Sequence, residues 1–128
     1  MTSEPMLLAI VEMGGYPDFV PLYRRKGYRV EKVHSMRKAQ LWLKKNQPEV
    51  VVAEFHFDPD LRDRMSTLES LLATLQRYAP GARVIVFIEC GHRPRLEQVK
   101  GRYSVFAALD YPVAEQRLSD VLDQAARC

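Results

Sequence analysis

The segment Pro48-Glu49-Val50-Val51-Val52-Ala53-Glu54, residues 48–54, runs from a helix-breaking proline through four consecutive apolar residues to an acid. A strand with one wet face alternates apolar and polar side chains. A run without alternation belongs to a strand covered on both faces, as in a parallel sheet between helices. The spacing predicts a strand over Val50–Phe55, and similar elements recur on both sides of it. Upstream, Met6–Glu12 (MLLAIVE) is a short apolar run closed by an acid and followed by Met13-Gly14-Gly15, a strand entering a loop. Tyr28–Val33 alternates as a second strand, and Val84–Ile88 and Val105–Leu109 complete a set of five.

Helical patterns fill the intervals. Tyr16–Lys26 places Phe19, Val20, Leu22 and Tyr23 at helical spacing, with Pro17 and Asp18 suited to the first turn and Gly27 to the stop. Ser35 is a good N-cap for a helix over Met36–Asn46 carrying Ala39, Leu41, Trp42 and Leu43, and Pro48 prevents its continuation. Ser66–Tyr78 lines up Leu68, Leu71, Leu72 and Leu75, with Ser66 and Glu69 as a capping box and Pro80-Gly81 as terminator. A short helix over Pro94–Lys100 and an amphipathic one over Ala114–Ala126, with Leu118, Val121 and Leu122, finish the pattern.

Five strands alternating with five helices predict a doubly wound α/β fold: a (βα)5 five-stranded parallel sheet with helices on both faces. The 128 residues, 47% hydrophobic and 27% charged, fit one domain over 1–128 and exclude a multidomain enzyme. Apolar residues spread along the chain argue against disorder. No apolar run approaches the ~20 residues of a membrane span, and the N-terminus lacks a basic-then-apolar signal pattern, so a cytoplasmic protein without membrane insertion is expected. The net charge is +3, and residues 1–50 hold nine Lys/Arg against five Asp/Glu. That basic third suits an acidic partner; direct nucleic-acid binding draws on a denser basic face and is not expected. Cys90 and Cys128 make no disulfide framework and read as free thiols.

In a doubly wound sheet, chemistry sits beyond the carboxyl ends of the strands. The residues there are Glu12 and Met13, Glu54 and His56, Glu89, Cys90 and His92, and Asp110-Tyr111-Pro112. Here the chain resembles the receiver domains of bacterial response regulators, of the chemotaxis type with a flavodoxin-like fold. Residues 48–54 resemble that family's third strand, in which Pro-Asp precedes apolar residues and the phospho-accepting Asp. Leu7–Glu12, Arg83–Ile88 and Ala107–Pro112 resemble its first, fourth and fifth strands, so the likeness covers essentially the whole chain.

The resemblance implies two adjacent acids after the first strand to hold magnesium, an Asp after the third, a Ser or Thr after the fourth and a Lys before the fifth-strand proline. This chain keeps Glu12 but has Met13 for the second acid, which removes a hard oxygen ligand. Glu54 stands at the acceptor position, its carboxylate one methylene farther out, which disturbs in-line phosphoryl transfer. Ile88 replaces the hydroxyl, or Glu89 does if the alignment slips by one; Tyr111 replaces the Lys, and Ala108 the switch aromatic. A phosphoryl group needs positive charge around its oxygens, and the matched positions offer none. Receivers usually have a cis peptide before the proline, so Tyr111-Pro112 is expected to be cis.

These departures point to a stand-alone pseudo-receiver, with no enzymatic activity and no cofactor, that signals through protein partners without phosphorylation. The resemblance implies homodimerisation through its fourth-helix, fifth-strand, fifth-helix face as one such contact. Glu54 reads either as a mimic of an aspartyl phosphate or as a solvated acid. The alternative is an active phospho-acceptor using Glu54 or Asp58. A further alternative is a small-ligand or metal site gathering Glu12, Glu54, His56, Cys90 and His92, or Cys90 as a nucleophile with a histidine base; the spacing Cys90-x-His92 matches no recognised motif. The stretch Phe57–Met65 (FDPDLRDRM) reads as a loop longer than the receiver's, either a solvated extension or a recognition loop.

Overall fold

Five strands, β1 (Met6–Val11), β2 (Arg29–Val33), β3 (Val50–Glu54), β4 (Arg83–Ile88) and β5 (Ala107–Asp110), pair in parallel in the order β2-β1-β3-β4-β5. The structure is a computed structural model, and it describes residues 5–11, 18–54, 64–88, 97, 100–101, 103, 105–110 and 113–127, with backbone alone for Met36, Glu54, residues 64–68 and Arg127. Its helices are α1 (Val20–Arg25), α2 (Met36–Leu43), α3 (Arg64–Tyr78) and α4 (Glu115–Arg127). Glu97 and Lys100 are also helical; the rest of the helix expected over Pro94–Lys100 lies outside the described residues.

The strand order sets the layers. A right-handed crossover from β1 to β2 steps one way along the sheet and puts α1 on one face; crossovers from β2 to β3 and from β3 to β4 step the other way and put α2 and α3 on the opposite face. Two cores result. Leu8, Ile10, Val51, Ala53, Val84, Val86 and Ile88 pack under α2 and α3 with Ala39, Leu43, Leu71, Leu72 and Leu75. Leu7, Ala9, Val50, Val52, Ile85 and Phe87 pack under α1 and α4 with Leu22, Tyr23, Leu118, Val121 and Leu122. Residues i and i+2 of each central strand share a core while i+1 enters the other, so 50–53 must be apolar throughout. On the α1/α4 side, Phe19 meets Phe87 edge-on, ring centroids 5.8 Å apart at 82°.

Several boundaries differ from the sequence expectation. The first helix begins at Val20, not Tyr16, and Pro21, not Pro17, sits in its first turn. A helix started at Tyr16 would bury Pro21 in its interior, where the missing N–H and the ring break the ladder. Instead the Asp18 carboxylate accepts from the Val20 N–H at 3.1 Å. The chain leaves α1 through Gly27, whose φ of 92° suits a residue without a side chain.

Ser35 caps α2 as expected, its hydroxyl accepting from the Lys38 N–H at 3.1 Å. That helix stops at Leu43, short of Asn46, because the Asn46 amide donates to the Trp42 carbonyl at 3.0 Å in place of a further turn. The third helix starts at Arg64, so Ser66 lies inside it and forms no capping box, and residues 64–65 of the expected loop are helical. Arg64 and Met65 are good helix formers and extend the element backwards.

Candidate functional site

Order β2-β1-β3-β4-β5 reverses direction between β1 and β3, and the crevice at that switch is where such sheets place ligands. The register defines its floor. Val11 at the end of β1 is opposite Glu54 at the end of β3, and Glu54 is opposite Phe87 of β4. Ile88 is one residue farther along β4 and is opposite Asp110, the last residue of β5. The sheet therefore brings the expected site positions 54 and 88, with Asp110, to one edge.

Ile88 is 0% exposed and belongs to the core under α2 and α3. It faces inward with Val84 and Val86 and presents neither a hydroxyl nor any other polar atom. Ala108, at the position of the switch aromatic, is half-buried against the same core. Glu54 is placed by its backbone. Glu12, Met13, Tyr111 and Pro112 lie outside the described residues, as do Glu89, His56, Asp58, Cys90 and His92, the Tyr111-Pro112 peptide and residues 57–63. Among the described residues no three of His, Cys, Asp and Glu group as a metal site. No helix there is long and apolar enough to cross a membrane.

One contact at this edge has no counterpart in the sequence reading. His34, directly after β2, has Nδ1 3.2 Å from the Val11 carbonyl oxygen. A carbonyl only accepts, so Nδ1 carries the proton in this contact and ties the end of β2 to the end of β1. Its one signal in the sequence is a polar ring placed immediately after a strand. Nearby, Lys32 reaches the Asp18 carboxylate at 4.0 Å, the limit of an ion pair. Among the described residues, the side chains directly at these strand ends include the Asp110 carboxylate and the His34 imidazole and no Lys or Arg.

At the opposite edge of the sheet a buried phenol is shifted from its ordinary titration. Tyr28, 7% exposed, packs under α1 and α4. Burial pushes its phenol above the ordinary value; the Glu49 and Asp123 carboxylates push the same way and Arg83 opposes them.

No family model matches the chain, and no curated protein matches it in sequence. Solved structures do. The signal receiver domain of an HD domain-containing protein from Pseudomonas fluorescens superposes with a TM-score of 0.71 at 18% identity, covering 99% of this chain and 90% of that one. A response regulator receiver domain protein from Clostridium thermocellum gives 0.72 at 21% identity, covering 96% and 94%. The receiver domain of NtrC4 from Aquifex aeolicus gives 0.73 at 14% identity, covering 96% and 97%. The fold is that of response-regulator receiver domains, the flavodoxin-like doubly wound sheet that the resemblance implied.

Proposed function

We propose that the protein is a receiver-like signalling domain that acts through protein–protein contacts without accepting a phosphoryl group, and that it is not an enzyme. The observation that carries this reading is Ile88. At the strand-end position where a working receiver offers a hydroxyl, this chain has a fully buried isoleucine built into the core. An apolar side chain there gives a phosphoryl oxygen no donor, and the Met13 and Tyr111 replacements remove a metal ligand and a cation from the same set. Glu54 keeps a negative charge at the acceptor position without the geometry for transfer. Protein partners, a second copy among them, are the proposed ligands; the proposed setting is the cytoplasm, with no direct nucleic-acid contact.

Incubation with magnesium and acetyl phosphate, read by intact-mass spectrometry, tests this directly. The expected result is an unchanged mass. A phosphoryl increment lost in Glu54→Gln or in Asp58→Asn would overturn the reading in favour of an active phospho-acceptor.

A further inference from the structure

Helices α2 and α3 lie side by side, and between them runs an open groove of about 410 Å³ lined by Arg37, Leu41 and Lys44 from α2 and by Thr74, Arg77 and Tyr78 from α3. Arg37, Leu41 and Lys44 are i, i+4 and i+7, one stripe of a helix. Leu41 is 53% exposed, the large apolar side chain left in water among the described residues. A single exposed leucine is ordinary; its surroundings here are not. Three cations frame it, and among the described residues no acid lines the groove. None of the three has an ion pair among the described residues.

The α1/α4 side is built differently. There Lys26 meets Asp123 at 2.9 Å and Arg25 meets Glu115 at 3.2 Å. Cations left unpaired around an apolar centre form half of a complementary surface. We infer that the α2–α3 groove is a docking site for an acidic segment of a partner protein, one that seats an apolar side chain on Leu41 and carboxylates on Arg37, Lys44 and Arg77.

The dimensions specify the segment. Lys44, the C-cap of α2, is seven positions beyond Arg37, about 10 Å along the axis. A helical partner reaches both with acids at i and i+7 and sets its apolar residue between them, the helix-in-groove mode of recognition. A nucleic acid fits less well. Leu41 has no counterpart on a phosphate backbone, and one face of the Tyr78 ring, the groove's aromatic, is taken by the Arg77 guanidinium 5.4 Å from its centroid, which leaves less ring for a base to stack on.

The inference rests on the reading that the domain works through protein contacts, and the test separates the two. The probe is a fluorescein-labelled helical peptide with Glu at i and i+7 and Leu at i+4, followed by anisotropy and by amide shifts in the full-length protein. Control probes carry Lys for Glu or Ser for Leu, and a DNA oligonucleotide of equal charge is the competing ligand. Binding is expected to shift the amides of Arg37, Leu41, Lys44 and Arg77 and to fall with salt. It is expected to weaken about tenfold in Arg37→Glu/Lys44→Glu, and severalfold in Leu41→Ser, with circular dichroism unchanged in both variants. No binding, binding indifferent to these substitutions, or tighter binding of the oligonucleotide overturns the docking site. Repeating the titration with beryllofluoride and magnesium isolates the parent reading: equal affinity supports both, whereas binding only in their presence keeps the groove and overturns phosphorylation independence.

Discussion

The two helical layers of this protein differ in the ion pairs that tie their elements together. Under α1 and α4, two cations are matched across elements distant in sequence, Lys26 with Asp123 and Arg25 with Glu115, and tie the first helix to the last, while Arg24 and Arg117 have no ion pair among the described residues. Across the sheet, Arg37, Lys44 and Arg77 line a groove with no acid among its described residues. Both layers cover a full hydrophobic core, so neither is short of packing. The contrast teaches that two ion pairs help close the domain on itself on one side, whereas the groove cations on the other have no ion pair among the described residues.

Core substitutions should not distinguish the layers, and they set the largest scale. Phe87→Ala removes the ring that meets Phe19 and is expected to cost about 3–5 kcal/mol in chemical denaturation, with Leu71→Ala on the other side costing about 2–5 kcal/mol. A loss below about 1 kcal/mol in either variant would mean that its layer is not a close-packed core.

Ile88→Thr comes next and sharpens the strand-end assignment. With position 88 in the core, a hydroxyl there has no partner, and a loss of about 1–3 kcal/mol is expected besides that of the missing methyl. If position 88 instead opened onto a wet receiver pocket, the variant would be nearly as stable as the parent.

Lys26→Met tests the charge contrast itself. Its half-exposed ion pair is expected to contribute no more than about 1 kcal/mol, and a double-mutant cycle with Asp123→Asn should recover that coupling. Arg77→Gln, having no acid to lose, is expected to stay within about 0.5 kcal/mol of the parent. Equal losses in Lys26→Met and Arg77→Gln would break the comparison.

The smallest effect is visible only in alkali. Tyr28 holds its proton more tightly folded than unfolded, so the folded state binds more protons once pH passes about 10, the ordinary phenol value. The stability this contributes is complete below that pH and is lost as pH rises through the raised folded value. Denaturation midpoints of the parent should therefore fall more steeply above pH 10 than those of Tyr28→Phe; parallel curves would count against the shift.

Much of the fold was legible because each element depends on neighbours in the chain. The apolar run at 50–53 and the Ser35 cap are local patterns, and both appear where the residues place them. Boundaries failed where two local signals competed. Pro17 and Pro21 both suit a first turn, and α1 starts at Val20 with Pro21 in its own; Asn46 has fair helix spacing, yet its side chain closes α2 from outside. The candidate site was half legible. Glu54 and Ile88 could be assigned to strand ends by resemblance, but the inward orientation of Ile88 is a property of the assembled sheet. His34 and the α2–α3 groove escaped because each joins residues whose closeness exists only after two helices or two strands meet.

By itself, then, the sequence determined the alternation of elements, the apolar faces of the strands and the absence of a hydroxyl at 88, all of them consequences of side-chain type and short-range spacing. Tertiary structure decided which cations found acids. Lys26 and Asp123 stand 97 positions apart, and nothing in either neighbourhood predicts that the crossover of β1 into α1 and the return of α4 will set them together. The same topology puts Arg37, Lys44 and Arg77 around one leucine with no acid among the described residues of the groove. Charge pairing acts over a few ångströms in space, and the strand order settles which residues come within that range.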